Sequence, residues 1–134
     1  MNIDYKSPGT LEETRFEKIH SVIFDDSKNG SLAIAKEISN LIRNKQKQNK
    51  NCVLGLATGS SPISLYQELV RMHKEDGLSF KNVICFNLDE YYPMSSNDVN
   101  SYHHFMNTHL FDHIDIRKDN VNIPSGVIKK EKIN

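Results

Sequence analysis

Cys52-Val53-Leu54-Gly55-Leu56-Ala57-Thr58-Gly59-Ser60-Ser61-Pro62 is the stretch that decides the fold of this chain. Its first six residues form a continuous run of strand length without alternation, the pattern of a strand buried on both faces of a sheet. Beyond Pro62, residues Leu65, Tyr66, Leu69, Val70 and His73 recur at helical spacing until Asp76-Gly77 closes the segment. Val83-Ile84-Cys85-Phe86-Asn87-Leu88 then repeats the buried-strand pattern and ends in Asp89-Glu90-Tyr91-Tyr92-Pro93. A polar loop through Asn100 leads to a helix expected from about Ser101 to His113, with Tyr102, Phe105, Met106 and Leu110 as its apolar stripe. Upstream, His20-Ser21-Val22-Ile23-Phe24 reads as a short strand closed by Asp25-Asp26-Ser27. The helix that follows is capped by Asp26 or Ser27 and carries Ile34, Ile38, Leu41 and Ile42 on one stripe. The basic, amide-rich Lys45–Asn51 suits its C-terminal end, where cations complement the macrodipole. Strands alternating with helices predict an α/β fold, a parallel sheet with flanking helices. Residues 1–19, polar and interrupted by Pro8-Gly9, read as an N-terminal extension.

Composition narrows the function classes. The 134 residues carry 17 Lys+Arg and 17 Asp+Glu, with 37% hydrophobic residues, enough for one domain core and too little for two. A balanced charge argues against a non-specific nucleic-acid binder, which gains affinity by displacing counterions with excess positive charge. No apolar run approaches the roughly 18 residues that would span a bilayer, and no signal peptide opens the sequence, so no membrane partner is expected. Cys52 and Cys85 lie in apolar stretches without CxxC spacing and read as reduced, buried thiols of a cytoplasmic protein.

In open parallel sheets, ligands bind beyond the carboxyl ends of the strands. Two loops leave such ends, Thr58–Pro62 and Asp89–Pro93, and right-handed crossovers let them share one crevice. In the first, Gly59 frees the backbone so that successive amides converge, Pro62 suits the first helical turn, and Thr58, Ser60 and Ser61 add hydroxyls. Such a helix start attracts a phosphate, although an ordinary turn with a Ser cap explains the same residues. There is no Walker lysine and no GxGxxG, which argues against a nucleotide site. In the second loop, adjacent side chains of an extended chain point oppositely, so one of Asp89 and Glu90 need face the crevice. A carboxylate at the mouth of an apolar strand is expected to be partly desolvated, its pKa raised toward that of a useful base. The plainer alternative is that Asp89 caps the loop and Glu90 is solvated. His109 and His113, at i and i+4 beside Asp112, lack the glutamate of a zinc-protease helix and are read as surface or packing residues, with no metal. Lys129–Lys132 reads as a solvated tail.

Five segments, LGLATGSSP (54–62), FNLDEYYPM (86–94), SYHHFM (101–106), LFDHIDI (110–116) and NVNIPSG (120–126), resemble the glucosamine-6-phosphate deaminase (isomerase) family in order and spacing. KIHSVIFDDSKNGSLAIAKEI (18–38) also resembles a longer-headed bacterial branch. The resemblance implies a Rossmann-like domain over residues 20–134. It implies conversion of glucosamine 6-phosphate and water to fructose 6-phosphate and ammonia, in amino-sugar catabolism, without metal or organic cofactor. On it, Asp89 is the catalytic residue that moves a proton between sugar carbons. Thr58, Gly59, Ser60 and Ser61 belong to the loop around the sugar phosphate, and Glu90 and Tyr91 to the architecture of the site. A homo-oligomer is implied for the full-length form. The family's second glycine-rich motif, with its further catalytic residues, and its phosphate-holding basic residues do not occur in these residues. The sequence therefore reads as the N-terminal part of the domain, expected to have little or no turnover alone. A non-catalytic sugar-phosphate-binding module and a 6-phosphogluconolactonase-like hydrolase are the alternatives.

Overall fold

The computed structural model describes residues 21–128, and the N-terminal extension and the Lys129–Lys132 tail lie outside them. Helix α1 (Ser27–Lys47) starts where the Asp26 carboxylate accepts from the Asn29 amide, and it ends with Lys45 and Lys47 in its last turn. Strand β1 (Cys52–Leu56) follows, then α2 (Ile63–Asp76), which Gly77 terminates in the left-handed conformation at φ 68°. Strand β2 (Val83–Asn87) precedes the long loop to α3 (Tyr102–His109), which Ser101 caps through the His104 amide. Two single turns of 3₁₀ helix, at Phe111–His113 and Lys118–Asn120, lead to the two-residue strand β3 (Val121–Asn122).

The three strands form a parallel sheet in the order β1-β2-β3, with Cys52 opposite Val83 and Leu56 opposite Asn87. The α/β class and the parallel sheet with flanking helices agree with the sequence reading. The core joins the helices to one face of the sheet. Ala35 and Ile42 of α1, Tyr66, Leu69 and Met72 of α2 and Met106 of α3 close on Cys52, Leu56, Val83 and Cys85. Leu78 and Phe80, before β2, and Leu110 and Phe111, after α3, complete it. Asp115 binds the approach to β2: its carboxylate accepts from the Phe80 amide at 2.6 Å and from Ser79 Oγ at 2.7 Å.

Four expectations are corrected. Ser21–Phe24 form no strand, and β3, too short for any period to register, was not foreseen. The strands are not buried on both faces. Cys52, Leu56, Val83 and Cys85 are covered, whereas Val53 (61% exposed) and Phe86 (49%) stand on the opposite, open face. The α1 stripe is rotated toward Ala33, Ala35, Ser39 and Ile42, leaving Ile34 and Leu41 exposed. Small Ala and Ser side chains let α1 approach α2 closely, as the 2.6 Å Ser31–Ser64 hydroxyl contact shows. Finally, α3 stops at His109 instead of continuing to His113. Leu110 breaks it with φ −140°, which allows the consecutive residues Leu110 and Phe111 both to be buried.

Candidate functional site

The carboxyl ends of β1 and β2 define one end of the sheet, and a hydrogen bond from Asn87 Nδ2 to the Leu56 carbonyl (3.2 Å) ties them. Asn87 is 8% exposed, and its Oδ1 has no partner among the described residues. From these ends leave the two loops that the sequence singled out.

The β1 loop is held by a residue of the helix it feeds. Tyr66, 1% exposed, accepts from the Ala57 amide and donates to the Ala57 carbonyl. Burial pushes its phenol up to about 12 despite the backbone hydrogen bond. Past this anchor, Gly59 takes φ 100°, a conformation that a residue with a Cβ resists. Ser60 and Ser61 are exposed, and Pro62 stands in helical conformation immediately before α2. No side-chain hydrogen bond caps α2, so the Ser cap of the plainer reading is not formed. The Ile63 amide donates to the Ser60 carbonyl at 3.4 Å, and the other first-turn amides, which have no intrahelical acceptor, are left to solvent or an anion.

The β2 loop reverses the expected roles of its two carboxylates. Asp89 is exposed, not desolvated at a strand mouth. Glu90 is the buried one, its side chain 1% exposed. It accepts from the amides of Tyr91 (2.9 Å), Tyr102 (2.9 Å) and His103 (3.2 Å) and from His103 Nδ1 at 2.8 Å. Burial alone would raise its pKa, yet these donors hold it below the usual carboxylate range. Three of the four donors belong to the first turn of α3, so Glu90 fixes the loop to that helix. The alternation of side chains along the extended chain then sends Asp89 the other way.

Tyr102 joins the two loops. Expected as a core residue, it is only partly buried, and its ring packs on Tyr91 with centroids 4.8 Å apart. The neighbouring Tyr91 and desolvation raise its pKa, and the Thr58 hydroxyl opposes them. The Asp89 carboxylate adds to the rise, acting through space on the phenol. Tyr102 thus lies against Tyr91 of the second loop, near Thr58 of the first, with the Asp89 carboxylate acting on it through space. The far side of the β2 loop rests on Gly126, whose carbonyl accepts from the Met94 amide at 2.8 Å. A Cβ there would lie 2.3 Å from the Met94 carbonyl oxygen and 2.6 Å from that of Tyr91. The Tyr92-Pro93 bond within this loop is cis.

Sequence reasoning missed Tyr66, Tyr102, His103 and Gly126. For the tyrosines a signal existed: a phenol within an apolar stripe needs a partner for its hydroxyl. The histidines weighed as metal ligands are otherwise engaged, His109 stacking on Phe105 at 4.4 Å and His113 Nε2 meeting the Thr108 carbonyl at 2.9 Å. No cluster of three or more His, Cys, Asp or Glu that would hold a metal occurs among the described residues. None of their helices is long and apolar enough to cross a membrane.

A parallel sheet with a helix-start loop and a carboxylate loop at its carboxyl end has the place where open α/β sheets bind their ligands. The family model "Glucosamine-6-phosphate isomerases/6-phosphogluconolactonase" matches residues 25–131, and the chain belongs to that family, corresponding to its N-terminal part. The glucosamine-6-phosphate deaminase of Bacillus velezensis is 52% identical over 69% of this chain and 39% of its own. That of Pseudoalteromonas translucida is 46% identical over 82% of this chain and 40% of its own. A monomeric glucosamine-6-phosphate deaminase of known structure superposes with TM-score 0.74 and 38% identity, over 80% of this chain and 43% of that one. The 6-phosphogluconolactonase of Thermotoga maritima (17% identity, TM-score 0.64, 81% of this chain and 47% of that one) shares the fold. The chain thus spans about two fifths of the deaminases it matches.

Proposed function

We propose that this chain supplies the N-terminal part of a glucosamine-6-phosphate deaminase site, in which glucosamine 6-phosphate and water become fructose 6-phosphate and ammonia. The observation that supports the reading is the β2 loop at the carboxyl end of the parallel sheet, where Glu90 is tied to the Tyr102 and His103 amides and Tyr91 packs on Tyr102 while Asp89 is left exposed. Gly59, Ser60, Ser61 and the uncapped start of α2 offer amides and hydroxyls to the sugar phosphate. Asp89, exposed to the crevice with no hydrogen-bonding duty of Glu90's kind, takes the proton alpha to the carbonyl and returns it to the neighbouring carbon. Glu90 and Tyr91 set the loop's shape. In this reading residues 20–134 belong to the catalytic domain and residues 1–19 are an extension. The enzyme is cytoplasmic, oligomeric in its full-length form, and works without metal or organic cofactor.

The test is a graft. Residues 21–128 replace the matching segment of the Bacillus velezensis deaminase, and ammonia release from glucosamine 6-phosphate is measured. Activity is expected, and Asp89→Asn should lower kcat by about 10²–10⁴-fold, the usual worth of a positioned acid-base group. Undiminished release by the Asn variant would overturn the assignment of Asp89. Sugar-phosphate binding without release in an otherwise folded graft would favour the non-catalytic module.

A further inference from the structure

Strand β2 is apolar from Val83 to Phe86 and then ends in a buried amide, Asn87. Asn87 Nδ2 donates to the Leu56 carbonyl at 3.2 Å, and Leu56 and Asn87 are the last partners in the register of β1 and β2. Its Oδ1 is enclosed without a donor among the described residues, a cost that an apolar side chain at this position would not carry. A group that breaks a packing rule in this way is characteristic of a functional site. The amide also stands at a particular place. Thr58 and Asp89 each follow two residues later, so the side-chain bond lies where the two chains separate into the helix-start and carboxylate loops. Asn82 supplies the contrast. Its Oδ1 is likewise enclosed without a donor, but its Nδ2 serves the Ile42 (3.3 Å) and Lys50 (3.2 Å) carbonyls ahead of β2, at the other end of the strand.

From these observations we infer that Asn87 is a positioning residue, which sets the separation of the Thr58–Ser61 loop from Asp89. The inference rests on the catalytic reading above. In glucosamine 6-phosphate the phosphate and the proton to be moved sit at opposite ends of the sugar. A base on one loop therefore reaches that proton only if the other loop holds the phosphate at a fixed distance. The Asn87 amide fixes that distance by donating sideways to the neighbouring strand at the last rung of the ladder. An apolar side chain of similar size fills the same space and leaves the strand ends free to move apart.

The grafted deaminase carries the test. Asn87→Leu should lower kcat by about 10²-fold, the cost of misplacing a reacting group by about 1 Å. KM should change by less than about threefold, because the phosphate contacts remain. The melting temperature should stay within about 2 °C of the parent's, since the side chain that leaves carries one met and one unmet polar group. Asn87→Asp keeps the shape and donates only when protonated, so its kcat relative to the parent's should rise as pH falls from about 9 to 6. Asn82→Leu should lower the melting temperature and leave kcat alone. A parental kcat in Asn87→Leu beside a loss in Asp89→Asn would overturn this inference and leave the catalytic reading standing, whereas undiminished release by Asp89→Asn would remove both. A rise in KM in place of the fall in kcat, an Asp variant indifferent to pH, or an equal loss in Asn82→Leu would also overturn it. In a graft without turnover, amide exchange in the 134-residue chain decides. Asn87→Leu should speed exchange at residues 57–61 and 88–91 together, and unchanged exchange there overturns the inference.

Discussion

Glu90 and His103 are joined at 2.8 Å with the Glu90 side chain almost wholly withdrawn from solvent, and this pair fastens the loop after β2 to the first turn of α3. The helix start supplies amides, the imidazole supplies a further donor, and a carboxylate in that setting acts as an N-cap reaching from another segment. The position of the neighbouring Asp89 depends on it.

Replacing Glu90 by Gln should therefore loosen the whole loop. A hydrogen-bonded charge of this kind contributes about 1.5–3 kcal/mol, and urea unfolding of the Gln variant should show a loss of that size. Its pH dependence has a definite sign. Because the folded pKa is depressed, the contribution is fully present above the ordinary carboxylate pKa and disappears as pH falls through the lower folded value. Asp115 is depressed too: its burial is outweighed by the Phe80 amide, the Ser79 hydroxyl and the charge of His73. Acid unfolding of the parent should accordingly be steeper than that of Glu90→Gln, followed by circular dichroism between pH 5 and 2.

Tyr66→Phe tests the anchor of the other loop. Both Ala57 backbone groups lose the phenol as partner at a part-buried site, which predicts a destabilisation of about 0.5–1.5 kcal/mol by thermal or urea melting. In the parent, the folded phenol ionises near 12 against an ordinary 10, so its stabilisation is complete below pH 10 and declines as pH rises toward 12. Phenolate absorbance at 295 nm should show Tyr66 and Tyr102 titrating late, and the Tyr66 step should vanish in Tyr66→Phe.

At Gly126 the carbonyl oxygens of Tyr91 and Met94 occupy the place of a side chain. Gly126→Ala must displace backbone and not a flexible side-chain tip, with an expected cost of about 1–3 kcal/mol. Amide chemical shifts should move in residues 89–94 more than in β1. A melting temperature equal to the parent's would show that the loop does not rest there.

Tyr102→Phe separates positioning from folding. The ring contact with Tyr91 is retained while the hydroxyl that interacts with Tyr91 and Thr58 goes. In the grafted deaminase kcat/KM should fall by roughly tenfold, the worth of about one hydrogen bond. The melting temperature should stay near that of the parent, and a tyrosine serving only the core would give the opposite pattern.

The sequence by itself determined the order and type of the main elements. Their signals are local: an apolar run at Cys52–Ala57, helical spacing after Pro62, the Asp76-Gly77 stop, and a cap at Asp26 or Ser27, of which the structure uses Asp26. It also determined the two loops, because parallel strands put their carboxyl ends on one side. The burial of particular side chains was decided by the tertiary structure. An unbroken apolar strand such as Cys52–Ala57 carries no mark of which face a helix will cover, so Val53 and Phe86 could not be told from Cys52 and Cys85. The exchange of roles between Asp89 and Glu90 has the same origin. Adjacent carboxylates are equivalent until α3 brings the amides of Tyr102 and His103 to one of them, and the distance of a dozen residues that this spans has no period in the sequence.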